Sequence, residues 1–330
     1  MKLRSILFMV FFAGILLVAG CSSDEESSGN GKGGNGDQLR VGGAANTTFA
    51  YGFLSSWAEV IEGENNDLDF VIQATPGSSV HYEMFEEDQL DLGAGFAPNE
   101  YMAIQGEREP FEGGGFDKTR ILFPTTVSRA HVVTTADSDL ETVHDLEGMK
   151  LGVPGRGSAS TVTTEYQLKA LGVNAEFVYA QPDEIRNMLQ DGRVDAFWHY
   201  VGAPYSGVLD LSSQIDLKFI SFTEEDILKI AEAEPYTSVG NITSDHYDFV
   251  EGEVMTPVTF PTVLASSDVN EDQIYELTKA TWENWDAIVE LVPAAGQVTI
   301  EDAAKLIGKM HPGAIRYYEE QGVEIPDDMK

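Results

Sequence analysis

The stretch GVPGRGSAST, residues 152–161, gathers three glycines, one arginine and three hydroxyl side chains behind a short apolar run. Glycines let a backbone approach a ligand closely, and the amides and hydroxyls at a helix start hold negative charge without a basic side chain. Two nucleotide-binding patterns fail here. No lysine follows the glycines, as a P-loop requires, and the spacing is not G-x-G-x-x-G. The carboxylate of a small solute suits the loop better, and Arg156 either adds a bidentate contact or stands as a solvated loop charge.

Residues for reaction chemistry are not grouped. His81, His131, His144, His199, His246 and His311 are dispersed, with no H-E-x-x-H, and no G-x-S-x-G elbow occurs. Cys21 is the single cysteine, so no intramolecular disulfide can form. Paired acids carry no information in a chain with 55 of them. The pattern predicts binding rather than catalysis, with no metal and no cofactor.

The elements around the loop repeat. Segments 38–63 and 149–173 each read as strand, small polar loop and helix. Segments 70–96 and 177–200 each open on Phe-Val, turn at a proline, pass through a helix and end in a strand at Leu90-Asp91 or Val194-Asp195. Strands alternating with helices of this length mean βαβ units and parallel-rich sheets. Two such units predict an α/β protein of two similar lobes, with ligand loops outside the strands' carboxyl ends at 42–48, 75–79, 154–161 and 202–206.

Helix signals agree. Val162, Tyr166 and the stem of Lys169 share a face, with Gly172 as the stop; Pro182 opens a helix carrying Ile185, Met188 and Leu189 inward. Ser267 or Asp268 is expected to cap one long helix running through Ile274, Leu277, Trp282, Trp285, Ile288 and Val289, and Thr299 to cap the next. Strands at 129–137 and 259–267 are expected to cross between lobes. That gives a discontinuous first lobe, 38–130 plus 262–330, a second lobe at 131–261, and a hinged cleft.

Lys2 and Arg4 precede the apolar run Ile6–Val18, which is too short to span a bilayer and ends in Val18-Ala19-Gly20-Cys21. This is a signal peptide over 1–20 ending in a lipobox-like site, so Cys21 is the expected lipidation site of a cell-surface lipoprotein. The Gly/Ser/acidic stretch 21–37 reads as a flexible tether. The formal net charge of −35 excludes nucleic acid as a natural partner. Such charge is tolerable where salt shortens the Debye length to roughly 3 Å at 1 M, the mark of a halophilic protein. The same screening lets an acidic surface coexist with an anionic ligand.

Several stretches together resemble the TAXI family, the extracytoplasmic solute receptors of tripartite ATP-independent periplasmic (TRAP) transporters. GGAANTTFAYG, ATPGSSVHYEMFEEDQLDLG, GVPGRGSAS, DGRVDAFWHYVGAP and EDAAKLIGKMHPGAIRYYEEQG are similar to its motifs in order along the chain. The resemblance implies a type II periplasmic-binding-protein fold closing on a small organic solute, often an amino acid or dicarboxylate. It also implies the membrane subunits of a cation-driven transporter as partner, and a monomeric receptor. Carried over by motif, the contacts are Gly43, Asn46, Thr47, Gly77, Ser78 and Ser79 in one lobe. In the other they are Gly157, Ser158, Gly202 and Ala203. Arg156 replaces a small residue of the family pattern, and Trp198 or Tyr200 is a candidate cleft wall. A receptor of an ABC importer or a sensor kinase shares the fold, and a secreted lipoprotein hydrolase is the enzyme alternative.

Overall fold

A computed structural model describes residues 38–330 apart from 47, 65–67, 107–110 and 157. The chain opens with β1 (Leu39–Gly42), α1 (Phe49–Glu64), β2 (Phe70–Gln73), α2 (His81–Glu86), β3 (Leu92–Phe96), α3 (Ala97–Gln105) and β4 (Thr119–Pro124). It continues with β5 (Ser128–Thr135), β6 (Lys150–Val153), α4 (Ala159–Leu171), β7 (Glu176–Tyr179), α5 (Pro182–Gln190) and β8 (Ala196–Val201). Then follow α6 (Ser206–Ser212), β9 (Leu217–Phe219), α7 (Glu224–Ala233), β10 (Ser238–Thr243) and β11 (Glu253–Thr259). β12 (Pro261–Ser266), α8 (Glu271–Glu283), α9 (Trp285–Leu291) and α10 (Pro312–Glu320) complete the chain.

Two sheets result. The first has the order β2-β1-β3-β12-β4; the second runs β10-β11-β5-β8-β6-β7, with β9 added against β5. In each sheet the first three strands of a βαβαβ unit are parallel and take the order 2-1-3. A strand from the other end of the segment then joins antiparallel: β12 beside β3, and β5 beside β8. This mixed α/β architecture of two similar lobes is the one that the sequence repeat predicts.

The passages between sheets are shorter than strands. β4 ends at Pro124 in the first sheet and β5 starts at Ser128 in the second, while only Phe260 separates β11 from β12. β5, Ser128–Thr135, lies wholly in the second sheet, so the first passage is 125–127 rather than the strand expected at 129–137. The two passages run side by side, with Thr125 N donating to Pro261 O at 2.9 Å.

Local chemistry explains most helices. Pro182 occupies the first turn of α5, whose Ile185, Met188 and Leu189 are buried. Asn270, not Ser267 or Asp268, caps α8, its side chain accepting from the Asp272 and Gln273 amides. The long helix is two helices, because the turn breaks at Asn284 and restarts at Trp285. Thr299 forms a capping box with Asp302, though only a 3-10 turn follows. α4 departs most from its apolar pattern: it buries Thr161, Thr164, Gln167 and Leu168, while Val162 is half-buried and packs toward the first lobe's core. Most of that polar burial is offset by hydrogen bonds, Gln167 Nε2 to Thr237 Oγ1 and Gln167 Oε1 to the Tyr200 hydroxyl, while the buried Thr163 Oγ1 has no partner among the described residues.

One buried acid stands out behind β3. Glu100 Oε1 accepts from Phe96 N at 3.0 Å and Thr262 Oγ1 at 2.8 Å. A Cβ at Gly95 would lie 2.3 Å from both Glu100 Oε1 and Thr262 Oγ1, so only glycine lets the carboxyl dock on the sheet. Burial pushes the carboxyl from 4.5 up to about 7, with the Thr262 bond only partly offsetting it. Ionising Glu100 in the folded chain therefore costs about 3 kcal/mol. A raised carboxyl makes its full contribution below about pH 4.5 and loses it as pH rises through 7. Denaturant titrations should show that Glu100→Gln removes this fall between pH 5 and 8, because the amide keeps both accepted bonds without a charge. An unchanged slope would mean that Glu100 is solvated.

Candidate ligand-binding cleft

The C-terminal ends of β1, β2 and β6 run into the loops that the sequence singled out. The lobes touch beside them: Val162 of α4 packs on the first lobe's core and Phe96, before α3, on the second's. The loop after β1 is drawn tight. Gly43 N donates to Gln73 O at 2.9 Å and Thr75 N to Ala44 O at 3.0 Å, so the first two ligand loops are stitched together. A Cβ at Gly43 would meet the Tyr51 ring at 2.6 Å. Ala44 holds a left-handed φ of 62°, a conformation glycine adopts more easily. Asn46 is exposed at the loop's tip, and Thr48, whose hydroxyl donates to Ala45 O at 2.7 Å, leads into α1.

The second loop hangs on a buried histidine. Ala94 O can only accept, so Nδ1 of His81 carries the proton and donates to it at 2.7 Å. Nε2 then accepts the Thr75 hydroxyl at 2.6 Å. Burial lowers the pKa of His81, which keeps the ring neutral and the bond direction fixed. Asn99 Nδ2, at the start of α3, donates to Ser78 Oγ at 3.0 Å. Gly77 is extended with open space where a side chain would be, and Ser78 and Ser79 are half-buried beside it.

In the second lobe, Ser158 caps α4, its Oγ accepting from Thr161 N at 3.2 Å and donating to Thr161 Oγ1 at 2.9 Å. Thr161 in turn donates to Pro154 O at 2.8 Å, and Ser160 Oγ accepts from Tyr200 N at 2.9 Å. The guanidinium of Arg156 lies over the Tyr179 ring, 4.0 Å from its centre, and the Tyr179 hydroxyl donates to Glu165 at 2.9 Å. Gly202 is half-buried with Thr126 as its neighbour, and Ala203 is buried with its carbonyl accepting from Gln297 Nε2 at 2.5 Å. Thr47, Gly157 and Cys21 lie outside the described residues.

Trp198 and Tyr200 need correction as cleft walls. Two residues apart on β8, they share one face, and both belong to the second lobe's core. Trp198 is 0% exposed, edge-on to Phe222 at 5.4 Å, and has no free face for a solute. His199, pointing to the opposite face, is a half-buried ring held beside Tyr205, and desolvation pushes its pKa down to about 4.

Asn99, Thr75, Tyr179 and Gln297 were missed by the motif comparison, since each acts through a fold contact that spacing does not encode. Asn99 carried one local signal, its place in the first turn of a Pro-started helix directly after a strand.

The charge pattern is specific. Segments 42–48, 73–80, 96–99, 124–130, 153–164 and 198–206 contain no Asp or Glu, in a chain with 55. Helices α5, α7 and α8 carry two or three acids in their first turns, which neutralise the positive helix end. The first turns of α1 and α4 carry none. Their N-terminal dipoles are left uncompensated, and such an end attracts anions.

A model of the NMT1-like family matches residues 41–322. The chain belongs to the NMT1-like family. The match runs from β1 past α10 and so spans both sheets of this NMT1-like chain. Among solved structures, a probable amino-acid ABC transporter extracellular-binding protein from Bacillus subtilis is similar at 13% identity. That match covers 78% of this chain and 96% of the other, with a TM-score of 0.50. A Xanthomonas citri protein solved with a bound chloride ion is 9% identical over 86% of this chain and 95% of its own, also at 0.50. A putative sulfonate-binding protein from Methylobacillus flagellatus reaches 17% identity over 78% and 69%, at 0.48. The shared fold is that of two-lobed periplasmic binding proteins.

The closing His-Pro-Gly-Ala motif of this NMT1-like chain is architectural. His311 caps α10, its Nδ1 accepting from Gly313 N at 3.2 Å while Nε2 donates to Val269 O at 3.2 Å. Pro312 fits the first helical position, and buried Gly313 and Ala314 set α10 close against α8. No member of the motif points a polar group at the cleft loops.

Proposed function

We propose that this chain is an extracytoplasmic receptor that captures a small organic anion, a carboxylate such as glutamate or a dicarboxylate, between its two lobes. The observation that carries the reading is the absence of carboxylates from six cleft segments, together with the bare helix starts of α1 and α4. Amides, hydroxyls and Arg156 remain to meet a negative group. The lobes, 38–127 with 260–330 and 128–259, close about the paired passages at 125–127 and Phe260. On the first-lobe side, Thr126 Oγ1 donates to Ala294 O at 2.9 Å, and Gln297 bridges Arg129 and Ala203 to strap the hinge.

The resemblance of five ordered segments to the TAXI family supports delivery to the membrane subunits of a TRAP transporter, with a lipid anchor at Cys21 and salt-rich surroundings. Delivery to an ABC importer is the second reading, favoured by the amino-acid ABC binding protein of the same fold. Co-purification with membrane subunits that lack an ATPase favours the first, and co-purification with an ATPase the second.

Titration calorimetry of residues 38–330 in molar salt with glutamate, glutamine, 2-oxoglutarate, succinate and neutral amino acids tests the ligand class. One-to-one heat with a carboxylate is expected, with affinity held or raised as salt increases. Binding only of neutral solutes, or of none, sinks the reading. Ser158→Ala should weaken the carboxylate about tenfold and cost about 1 kcal/mol of stability through the lost cap. Unchanged affinity alongside the stability loss would take Ser158 out of the site.

A further inference from the structure

The turn at 202–206 is held at both ends by one circuit of hydrogen bonds. At its downstream end Tyr205 N donates to the Tyr247 hydroxyl at 2.6 Å, and that hydroxyl donates to His131 Nε2 at 2.7 Å. His131 Nδ1 then donates to Arg129 O at 3.0 Å. The Arg129 side chain carries the path on, its Nη1 donating to Gln297 Oε1. Gln297 Nε2 closes it by donating to Ala203 O at 2.5 Å. The path thus leaves the turn at Tyr205 and returns at Ala203, with the exposed Pro204 between them.

Every direction in the circuit is fixed. Arg129 O can only accept, so Nδ1 of His131 carries the ring proton and Nε2 must accept. The Tyr247 hydroxyl gives its single proton to His131, which leaves its oxygen to accept the Tyr205 amide. His131 is 0% exposed and Tyr247 1%. Burial, reinforced by Arg129 and by the neighbouring His199 and His246, pushes the His131 pKa down to about 3, so the ring stays neutral. Buried bonds in such a series polarise one another, and breaking one leaves its partners unmet away from water.

Two features connect the circuit to capture. It crosses between the lobes, because Gln297 lies in the first lobe and the other members in the second. The first lobe also repeats the device: buried His81 donates from Nδ1 to Ala94 O and accepts the hydroxyl of Thr75, which opens the loop of Ser78. Each lobe hangs a cleft loop from a neutral histidine through a hydroxyl.

We propose that Tyr247 and Gln297 are positioning residues for solute capture, which hold the 202–206 turn in its binding shape and, through Gln297, make that shape depend on the first lobe. This rests on the reading of 202–206 as a solute loop of the cleft.

The test pairs Tyr247→Phe, which removes the shared hydroxyl, with Gln297→Met, which keeps the length and removes both bonds. Exchange of the Tyr205 amide is followed first, by NMR on the isotope-labelled protein without solute. Gln297→Met touches neither Tyr205 nor Tyr247, yet it is expected to speed that exchange about tenfold, and Tyr247→Phe by at least as much. Titration calorimetry with glutamate and 2-oxoglutarate should then find each variant about tenfold weaker, and the double variant little weaker than either, since both act through one turn. Tyr205 exchange unchanged in Gln297→Met, affinity unchanged in both variants, or losses that multiply to about a hundredfold in the double variant overturns the circuit's role. Should Tyr247→Phe fail to fold, Gln297→Met, at a half-buried site, decides by both readouts. If the wild-type protein binds neither solute, the anion reading fails, and the exchange rates alone decide whether the turn is held in this way.

Discussion

Ser78→Asp is expected to weaken binding of a carboxylate solute by about two to three orders of magnitude while leaving the fold intact. Ser78 is half-buried in the loop after β2, and its Oγ accepts a bond from Asn99 Nδ2 at 3.0 Å, which an Asp oxygen can accept as well. The local structure therefore survives. The electrostatics do not, because the substitution puts the first carboxylate into segments that hold none. Two like charges 4 Å apart repel by about 4 kcal/mol at an effective dielectric of 20, and salt screens such a partly enclosed pair less than a surface one. The neutral Ser78→Asn separates charge from shape and should cost only about tenfold. Calorimetry on both variants decides. If Ser78→Asp binds as well as Ser78→Asn, the captured solute is not an anion.

Gly313→Ala is expected to cost about 3 kcal/mol or more, with a melting temperature lower by roughly 5–10 °C. A Cβ at Gly313 would lie 2.3 Å from Glu271 O and 2.8 Å from Tyr275 N. Both are backbone atoms of α8, so no side-chain rotation relieves the overlap and the two helices must part. Their packing buries Ile274, Leu277 and Tyr318, whose hydroxyl reaches Leu122 O at 2.9 Å inside the first sheet. Gly52→Ala, on the exposed side of α1 with nothing within 4 Å, should instead stabilise by about 0.5–1 kcal/mol. Thermal melts of the two variants moving the same way would refute the packing argument.

The glycine of the His-Pro-Gly-Ala stretch shows how a motif can be legible and its role hidden. The sequence offers a cap, a first-turn proline and two small residues, which suffices to place a helix. That Gly313 is small because α8 crosses there depends on residues about forty positions earlier, and no local pattern reports such a distance. Arg156 is similar. Its loop was readable as an anion-binding helix start, but its stacking on Tyr179 depends on β7 lying parallel beside β6.

The sequence by itself determined the architecture of two similar α/β lobes, because hydrophobic period, turn chemistry and the repeated strand–loop–helix order are local and were written twice. Tertiary structure alone decided which side chains are free to act. It turned Trp198 inward because strand faces alternate and the second lobe's core lies on that side. It hung the Thr75–Ser79 loop on the neutral His81 and on Asn99, and it docked the Glu100 carboxyl on Phe96 and Thr262. Those groupings come from segments that meet only when the sheets form, so their chemistry depends on long-range packing that residue spacing does not carry.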